Sequence, residues 1–166
     1  PMNLQRRARH FGFDLSKEYI ALVIDIDSFS SLSEVKNETE IQEIKSRLLS
    51  IVRLSVSACN YHALIKPISD TLLVMLQVTP GKGVNQAKLF TDHILPKVRK
   101  EQPCTISIGV GQSCADLTRL AESFQQAEQA LTIGKKLQKF NVVMFYDQLG
   151  LYRLFIHTSN NDEMNF

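Results

Sequence analysis

The sequence predicts an α+β domain in which helices cover the faces of a mixed sheet. Residues 20–26 form an almost unbroken apolar run, which is typical of a strand buried on both faces. A second apolar run, residues 72–76, belongs to a predicted hairpin around residues 68–70. Between the two runs lies a long segment with apolar residues at helical spacing. A helical crossover followed by a hairpin brings parallel and antiparallel strands into one sheet.

Length and composition indicate one ordinary globular domain. The 166 residues are enough to bury an apolar core without disulfide or metal cross-links. Hydrophobic residues make up 44% and charged residues 22% of the chain. The net charge is +2, from 19 basic and 17 acidic residues, so the charge gives no reason to expect a nucleic-acid or membrane partner. Because the chain opens on Pro1, we expect it to be part of a longer protein.

The cysteine pattern indicates a cytoplasmic protein. The three cysteines are odd in number and lack CxxC spacing, so we expect reduced, buried thiols; they are Cys59, Cys104 and Cys114. The four histidines form no H-x-x-x-H pair, which disfavours a zinc site. No apolar run has the length of a membrane span, and no signal-peptide core follows the N-terminus.

The first half of the chain predicts a helix, a strand and a second helix. Residues 4–10 are helix formers with a basic face, and Gly12 ends that helix before a strand at 18–26. Residues 30–38 read as a polar connection. Thr39 and Gln42 form a predicted capping box for a helix that ends near residue 59. Its inward positions are Ile41, Ile44, Leu48, Ile51, Val52 and Val56.

The second half predicts a hairpin, two long helices and two more strands. In order, they are strands 61–67 and 71–78, a turn at 79–83, helix 84–100, strand 104–110, helix 116–137, strand 141–146 and a short helix from residue 147. Asp116 is the expected cap of helix 116–137, whose inward residues are Leu117, Leu120, Phe124, Ala127 and Leu131. Gly109 and Gly111 favour a bend at a strand end over a dinucleotide-binding loop. The predicted order is β-α-β-β-α-β-α-β.

Asp25 and Asp27 are the first candidate site residues. They leave a central strand at its C-terminal edge, where α/β and α+β enzymes often hold a metal or a phosphate. In this sequence the favoured interpretation is that they cap the strand exit or pair with a neighbouring lysine or arginine, and the alternative is residual metal or nucleotide binding. Asp70 is expected to stabilise the hairpin turn through its own backbone. The basic cluster of Lys135, Lys136 and Lys139 is expected to be a solvated helix end.

Several motifs resemble those of GGDEF domains, the diguanylate cyclase fold related to nucleotide cyclases and polymerase palms. Residues 25–29 resemble the D-x-D-x-F strand exit of that family, and residues 68–72 fall where its enzymes carry Gly-Gly-Asp-Glu-Phe. Residues 105–109 are similar to the S-x-G strand, and residues 127–136 are similar to the penultimate helix. The resemblance implies a GGDEF/nucleotide-cyclase-like fold, a ferredoxin-like βααββαβ variant with a mixed, mainly antiparallel sheet.

A closer resemblance covers nearly the whole chain. Residues 7–15, 133–137 and 145–154 are similar to the GGDEF-like middle domain of the sugar-diacid and purine-catabolism regulators, a family of bacterial transcription factors. This implies a helical linker at 1–16 from an upstream sensory region, the domain at 17–156, and a linker at 157–166 toward a helix-turn-helix domain outside the chain. The implied partners are a second copy of the chain, the two flanking domains, and DNA only through the helix-turn-helix domain, with no membrane contact.

Departures from the cyclase pattern determine the expected chemistry. The family holds two magnesium ions with carboxylates from the first strand and the hairpin. Here Asp25 remains, but Thr71 replaces the hairpin glutamate and Ile68 and Ser69 replace its two glycines. Ser33 and Glu34 replace the Asn and Asp that face the purine.

We therefore expect no catalytic residue, no bound metal and no cofactor. The predicted site is a vestigial metal or nucleotide edge formed by Asp25, Asp27, Ser69, Asp70 and Thr71. The expected function is a non-catalytic regulatory and oligomerisation domain of a transcription regulator. The alternative is a sensory domain that binds a nucleotide or a small acid, and an active diguanylate cyclase is disfavoured.

Overall fold

A computed structural model of the chain describes residues 6–7, 9–10, 14–115, 119–150 and 154. Its five strands are β1 (Glu18–Ile26), β2 (Ala63–Ile68), β3 (Thr71–Val78), β4 (Ile106–Cys114) and β5 (Val143–Phe145). They form one sheet in the order β2-β3-β1-β4-β5. The pairs β1–β3, β1–β4 and β2–β3 are antiparallel, whereas β4–β5 is parallel. The expected mixed, mainly antiparallel sheet is confirmed.

Four helices connect these strands in the described part of the chain. They are α1 (Phe29–Val35), α2 (Glu38–Ala58), α3 (Gly83–Glu101) and α4 (Leu120–Leu137). The prediction of a connection over residues 30–38 is wrong, because α1 occupies most of it. This helix buries no residue fully and is held through the partly buried Phe29 and Leu32, which pack against the core. Two helices between β1 and β2 fit the βααββαβ pattern that the family resemblance implies.

The central strand β1 is buried on both faces, as its continuous apolar run predicts. Because strand side chains alternate, one face of β1 packs against α2 and α3 and the other against α4. The first face carries Ile20, Leu22, Ile24 and Ile26, and the second carries Ala21 and Val23. The predicted inward stripe of α2 is buried throughout.

The caps of the long helices differ from the sequence predictions. Asn37, not Thr39, is the N-cap of α2, and its side chain accepts a 2.9 Å hydrogen bond from the backbone N–H of Glu40. The capping box at Thr39 and Gln42 is therefore wrong by two residues. The predicted cap Asp116 lies outside the described residues, and α4 begins at Leu120 without a side-chain cap.

Gly109 and Gly111 lie inside β4 and not at a strand end, so the predicted bend is wrong. A Cβ on Gly109 would overlap the carbonyl oxygen of Ala127 and lie 2.8 Å from the Cβ of Leu131. A Cβ on Gly111 would lie 2.9 Å from the hydroxyl oxygen of Ser123. The two glycines let α4 lie directly on the backbone of β4.

Ser123 of α4 forms hydrogen bonds to backbone groups where the pairing of β1 with β4 is irregular. The register of β1 against β4 shifts between Ile20 and Leu22. At this point the buried Ser123 hydroxyl accepts a 3.0 Å hydrogen bond from the N–H of Ala21 and donates one of 2.7 Å to the carbonyl of Gln112. A side chain of α4 thus satisfies backbone groups that the shifted ladder would leave unpaired.

Other boundaries move by a few residues. The strand predicted at 61–67 begins at Ala63, β4 extends beyond the predicted 104–110, and β5 is shorter than 141–146. A 3-10 turn at Tyr146–Gln148 follows β5. Residues 6, 7, 9 and 10 are helical, whereas Gly12, Leu117 and most of the segment after residue 150 lie outside the described residues. Within the described ranges, no helix is both long and apolar enough to cross a membrane.

Candidate functional site

The exit of β1 is organised around an ion pair, which confirms the expectation that the two aspartates pair with a basic residue, although the sequence did not identify Lys135 as that residue. Lys135, in the last turn of α4, donates a hydrogen bond from Nζ to Oδ2 of Asp25. The same Nζ lies 3.9 Å from Oδ1 of Asp27. Lys135 is only partly exposed, so the expectation of a merely solvated basic cluster is wrong for this lysine, although Lys136 and Lys139 are exposed.

Asp27 is a buried carboxylate with a full set of donors. Its oxygens accept hydrogen bonds of 2.6 Å from the hydroxyls of Thr105 and Ser107 and one of 2.7 Å from the backbone N–H of Asn141. These contacts, with the nearby Lys135 ammonium, compensate for the loss of hydration on burial. They tie the exit of β1 to the start of β4 and to the segment before β5. The sequence pattern missed these donors because all three are far from Asp27 in the chain.

The hairpin places Thr71 directly opposite Asp25 in the β1–β3 register. Directly opposite side chains of an antiparallel pair have Cβ atoms about 5 Å apart. The Thr71 hydroxyl donates a 2.9 Å hydrogen bond to the carbonyl of Ile68. Asp70 does not act through its own backbone as predicted, since Oδ1 accepts a 3.2 Å hydrogen bond from Nζ of Lys45. Thr71 therefore stabilises the turn, and Asp70 links it to α2.

Ser69 occupies the turn in a conformation that favours glycine. Its φ is 54°, in the left-handed region, where the Cβ of an L-residue crowds the backbone. This conformation costs about 1 kcal/mol relative to glycine. The hairpin thus keeps a glycine-like backbone at Ser69 while adding a side chain to it.

A cavity of about 280 Å³ lies between the hairpin and α2. We call it the hairpin cavity. Ser69, Asp70 and Thr71 of the predicted site line it. The other two predicted residues, Asp25 and Asp27, do not line it. They lie beside Lys135, and we call these three residues the ion-pair cluster. The lining residues of the hairpin cavity are Ile26, Gln42, Lys45, Ser46, Leu48, Leu49, Pro67, Ser69, Asp70, Thr71 and Leu72. Sequence reasoning missed Lys45, which carries no motif signal of its own.

The donor set does not fit the two magnesium ions that the cyclase resemblance implies. Magnesium prefers several anionic oxygen ligands. At the exit of β1, the Lys135 ammonium already neutralises Asp25, and the position opposite carries the neutral hydroxyl of Thr71. Asp70 is paired with Lys45. Among the residues described, no group of three or more His, Cys, Asp or Glu side chains could hold a metal ion.

The three cysteines differ in exposure. Cys114 is buried, but Cys59 and Cys104 are only half-buried, so the expectation that all three are buried is wrong. Partial burial raises the pKa of the Cys104 thiol, and the negative charge of Asp27 raises it further. Cys104 is consequently a poor nucleophile at neutral pH.

Comparison with protein families assigns the class of this domain. The sequence model of the GGDEF-like domain family matches residues 1–133. The chain therefore belongs to the GGDEF-like domain family. A comparison with curated proteins finds no significant match.

Solved structures with a similar fold include GGDEF domains and cyclases. An EAL/GGDEF domain protein from M. capsulatus has a TM-score of 0.64 at 16% identity, over 78% of this chain and 85% of that chain. Diguanylate cyclase SiaD from Pseudomonas aeruginosa, solved with its activator SiaC, has a TM-score of 0.60 at 16% identity, over 87% of this chain and 54% of that chain. The GGDEF domain of DgcB from Caulobacter crescentus, solved with c-di-GMP, has a TM-score of 0.57 at 14% identity, over 88% and 87%.

These likenesses confirm the GGDEF/cyclase-like fold class. At such identities they concern the fold alone. The chain spans about half the length of SiaD and of a bacterial light-regulated adenylyl cyclase, 54% in both cases. What those proteins bind or synthesise is therefore said of those proteins and is not transferred to this chain.

Proposed function

We propose that this chain is a non-catalytic regulatory and oligomerisation domain of a bacterial transcription regulator similar to the sugar-diacid and purine-catabolism regulators. In this role it relays an effector signal to a DNA-binding domain outside the chain. The observation that carries the proposal is the opposition of Asp25 and Thr71 across the β1–β3 ladder. A hydroxyl stands where a second carboxylate would complete a metal site with Asp25.

The surroundings of Asp25 support a role without metal-assisted catalysis. A divalent cation at Asp25 would have to displace the Lys135 ammonium or be repelled by it. Ile68 and Ser69 also add side chains at the hairpin, where two glycines would allow a nucleotide to approach the backbone closely. Each change disfavours nucleotide cyclisation, because Thr71 leaves one carboxylate fewer for a metal ion and the side chains of Ile68 and Ser69 restrict the approach of a nucleotide to the hairpin backbone.

The regulator context rests on the resemblance of residues 7–15, 133–137 and 145–154 to the regulator family. The nearly balanced charge supports placing DNA contact in a different domain, because DNA binding draws its affinity from clustered lysine and arginine. A relay domain needs an interface that responds to its neighbours. We expect that interface to form between copies of the chain.

The proposal is tested with GTP and magnesium together with a measurement of oligomeric state. The chain is incubated with both, beside an active diguanylate cyclase as positive control. We expect neither cyclic di-GMP nor pyrophosphate, and a defined oligomer in sedimentation analysis. Formation of either product would overturn the non-catalytic assignment, and a strict monomer at all concentrations would overturn the relay through self-association.

A second candidate, a ligand-binding sensory domain, is favoured by the hairpin cavity. Ser69, Asp70 and Thr71 line this cavity, so part of the predicted edge faces a concave space that is open to solvent on one side. Thermal-shift measurements with GTP, cyclic di-GMP and sugar diacids test this candidate. A stabilisation lost in Asp25→Ala would place the ligand at the ion-pair cluster, and one lost in Lys45→Met would place it in the hairpin cavity.

A further inference from the structure

We infer that the hairpin cavity binds a small carboxylate with an apolar body. Lys45 is the partner of the ligand carboxylate, and Asp70 is the protein group that the ligand displaces. The inference deepens the ligand-binding candidate of the proposed function and rests on it. Neither Asp25 nor Asp27 lines this cavity.

The shape and lining of the hairpin cavity fit a compact apolar body. Its volume of about 280 Å³ is near the lower end for small-molecule sites. Five aliphatic or proline side chains form much of the wall: Ile26, Leu48, Leu49, Pro67 and Leu72. Ile26, Leu48 and Leu72 also belong to the buried core, so this wall is fixed by packing and does not depend on a ligand.

Lys45 supplies the charge that selects a carboxylate. Its Nζ lies 3.2 Å from Oδ1 of Asp70 and 4.9 Å from the centre of the Phe29 ring, so the ammonium is held at the cavity. The Lys45 side chain is 30% exposed and that of Asp70 is 46% exposed. Ion pairs with this much exposure contribute little, so a ligand carboxylate can replace Asp70 while Asp70 turns into water.

Polyanions do not match the hairpin cavity. A nucleotide triphosphate needs several cations, whereas the lining offers one ammonium, and Asp70 would repel each phosphate. A sugar diacid would leave its second carboxylate without a cation, because Lys45 is the one cationic side chain of the lining. Gln42, Ser46, Ser69 and Thr71 could bind some of its hydroxyls, but the hydroxyls that face Leu48, Leu49 and Pro67 would lose hydration without a partner. A neutral apolar molecule gains nothing from Lys45. An apolar monocarboxylate can pack its body against the aliphatic side chains and bind its carboxylate to the Lys45 ammonium, so it is the class that fits the cavity.

The test is an NMR titration of the chain with hexanoate, compared with hexanamide, GTP and galactarate. We expect hexanoate to shift the backbone amides of residues 69–72 and 45–49 in a saturable way. Hexanamide should bind roughly fivefold more weakly, because it loses the ionic part of its contact with the partly exposed Lys45 ammonium. GTP and galactarate should not saturate these signals. Equal binding of hexanoate and hexanamide, or no saturable binding of hexanoate, would overturn the inference.

Two variants should change hexanoate affinity in opposite directions. Lys45→Met removes the anion partner and should weaken binding roughly fivefold, the upper limit for a partly exposed ion pair. Asp70→Asn removes the competing carboxylate and should strengthen binding about threefold. A ligand that needs Asp70 as an acceptor would instead bind Asp70→Asn more weakly, and this result would contradict the inference.

The Lys36–Glu40 pair provides matched controls. Its N–O distance is 3.4 Å and its side chains are 30% and 47% exposed, close to the values for Lys45 and Asp70. Neither Lys36 nor Glu40 lines the hairpin cavity. Lys36→Met and Glu40→Gln should leave hexanoate affinity unchanged, whereas an effect equal to that of Lys45→Met would show non-specific charge attraction and overturn the site. Pyrophosphate release from GTP tests the proposed function separately, so the two ideas can fail independently.

Discussion

Asp25 and Thr71 face each other across the β1–β3 ladder, with the Lys135 ammonium bound to the Asp25 carboxylate. At the strand exit the Asp25 carboxylate is therefore neutralised by Lys135, and the residue opposite it, Thr71, is uncharged. In a cyclase of this fold, the resemblance implies two carboxylates and metal ions at the same place. Here a lysine from the last turn of α4 supplies the positive charge, so the structural role of Asp25 does not depend on a metal.

Restoring a second carboxylate should create a cation site. In the double variant Thr71→Glu/Lys135→Gln, the introduced carboxylate would face Asp25 without the competing ammonium, and the repulsion between the two carboxylates would be relieved by a bound divalent cation. We expect millimolar MnCl2 to raise the melting temperature of this variant by several degrees. The matched control Thr71→Gln/Lys135→Gln should not respond. Equal responses of the two variants and the unaltered chain would show that this edge is not a lost metal site.

Asp27 should contribute far more to stability than Asp25. Asp27→Asn keeps the shape of the side chain but replaces one accepting oxygen with an NH2 group. That NH2 group would face a hydroxyl or backbone N–H donor with no acceptor between them, at a residue that is only 3% exposed. We expect a loss of about 3–5 kcal/mol in the free energy of unfolding. Asp25→Asn breaks a partly exposed ion pair and should cost about 1 kcal/mol. Urea denaturation measures both, and equal losses would contradict the distinction between the two carboxylates.

Gly109 should tolerate no side chain. In Gly109→Ala the new Cβ would lie 2.7 Å from the backbone nitrogen of Leu131, so α4 would have to move off the sheet. We expect a loss of at least about 3 kcal/mol, measured by chemical denaturation. Gly150→Ala is the control, since no described residue other than its chain neighbours comes within 4 Å of a Cβ placed there. If Gly109→Ala were as stable as Gly150→Ala, the close contact of α4 with β4 would be wrong.

The Cys104 thiol should ionise at higher pH in the folded chain than in the unfolded chain. Partial burial is the main cause of the raised pKa, and the Asp27 charge adds to it. Because the folded state holds the thiol proton more tightly, this part of the stability is present below the unfolded pKa and is lost as the pH rises through the folded pKa. The rate of Cys104 alkylation against pH, followed by peptide mass spectrometry with and without urea, measures the shift. An equal or lower apparent pKa in the folded chain would contradict it.

Local patterns account for the parts of the fold that were predicted. The apolar runs of β1 and β3 identify central strands, and the spacing from Ile41 to Val56 identifies the buried face of α2. The pattern fails at α1, because two partly buried residues hold a seven-residue helix that has no apolar stripe. It also fails at Gly109 and Gly111, whose role depends on a helix that follows them in the chain.

The candidate site was predicted only in part, for the same physical reason. The sequence identifies Asp25, Asp27 and the hairpin, since each carries a local motif. The partners of these residues are distant in sequence: Lys135 is 110 residues from Asp25, and Ser107 is 80 residues from Asp27. Lys45 meets Asp70 through the packing of α2 beside the hairpin. Long-range pairs of this kind leave no periodic signal in a single sequence.

The most direct test of the central claim is pyrophosphate release from GTP and magnesium by the unaltered chain and by Asp25→Asn. Both proteins should be assayed over a concentration range that includes any oligomer, because a cyclase reaction between two domains would depend on assembly. The account predicts background rates for both proteins at every concentration. Release by the unaltered chain that is lost in Asp25→Asn would contradict it, because Asp25 would then be a catalytic residue.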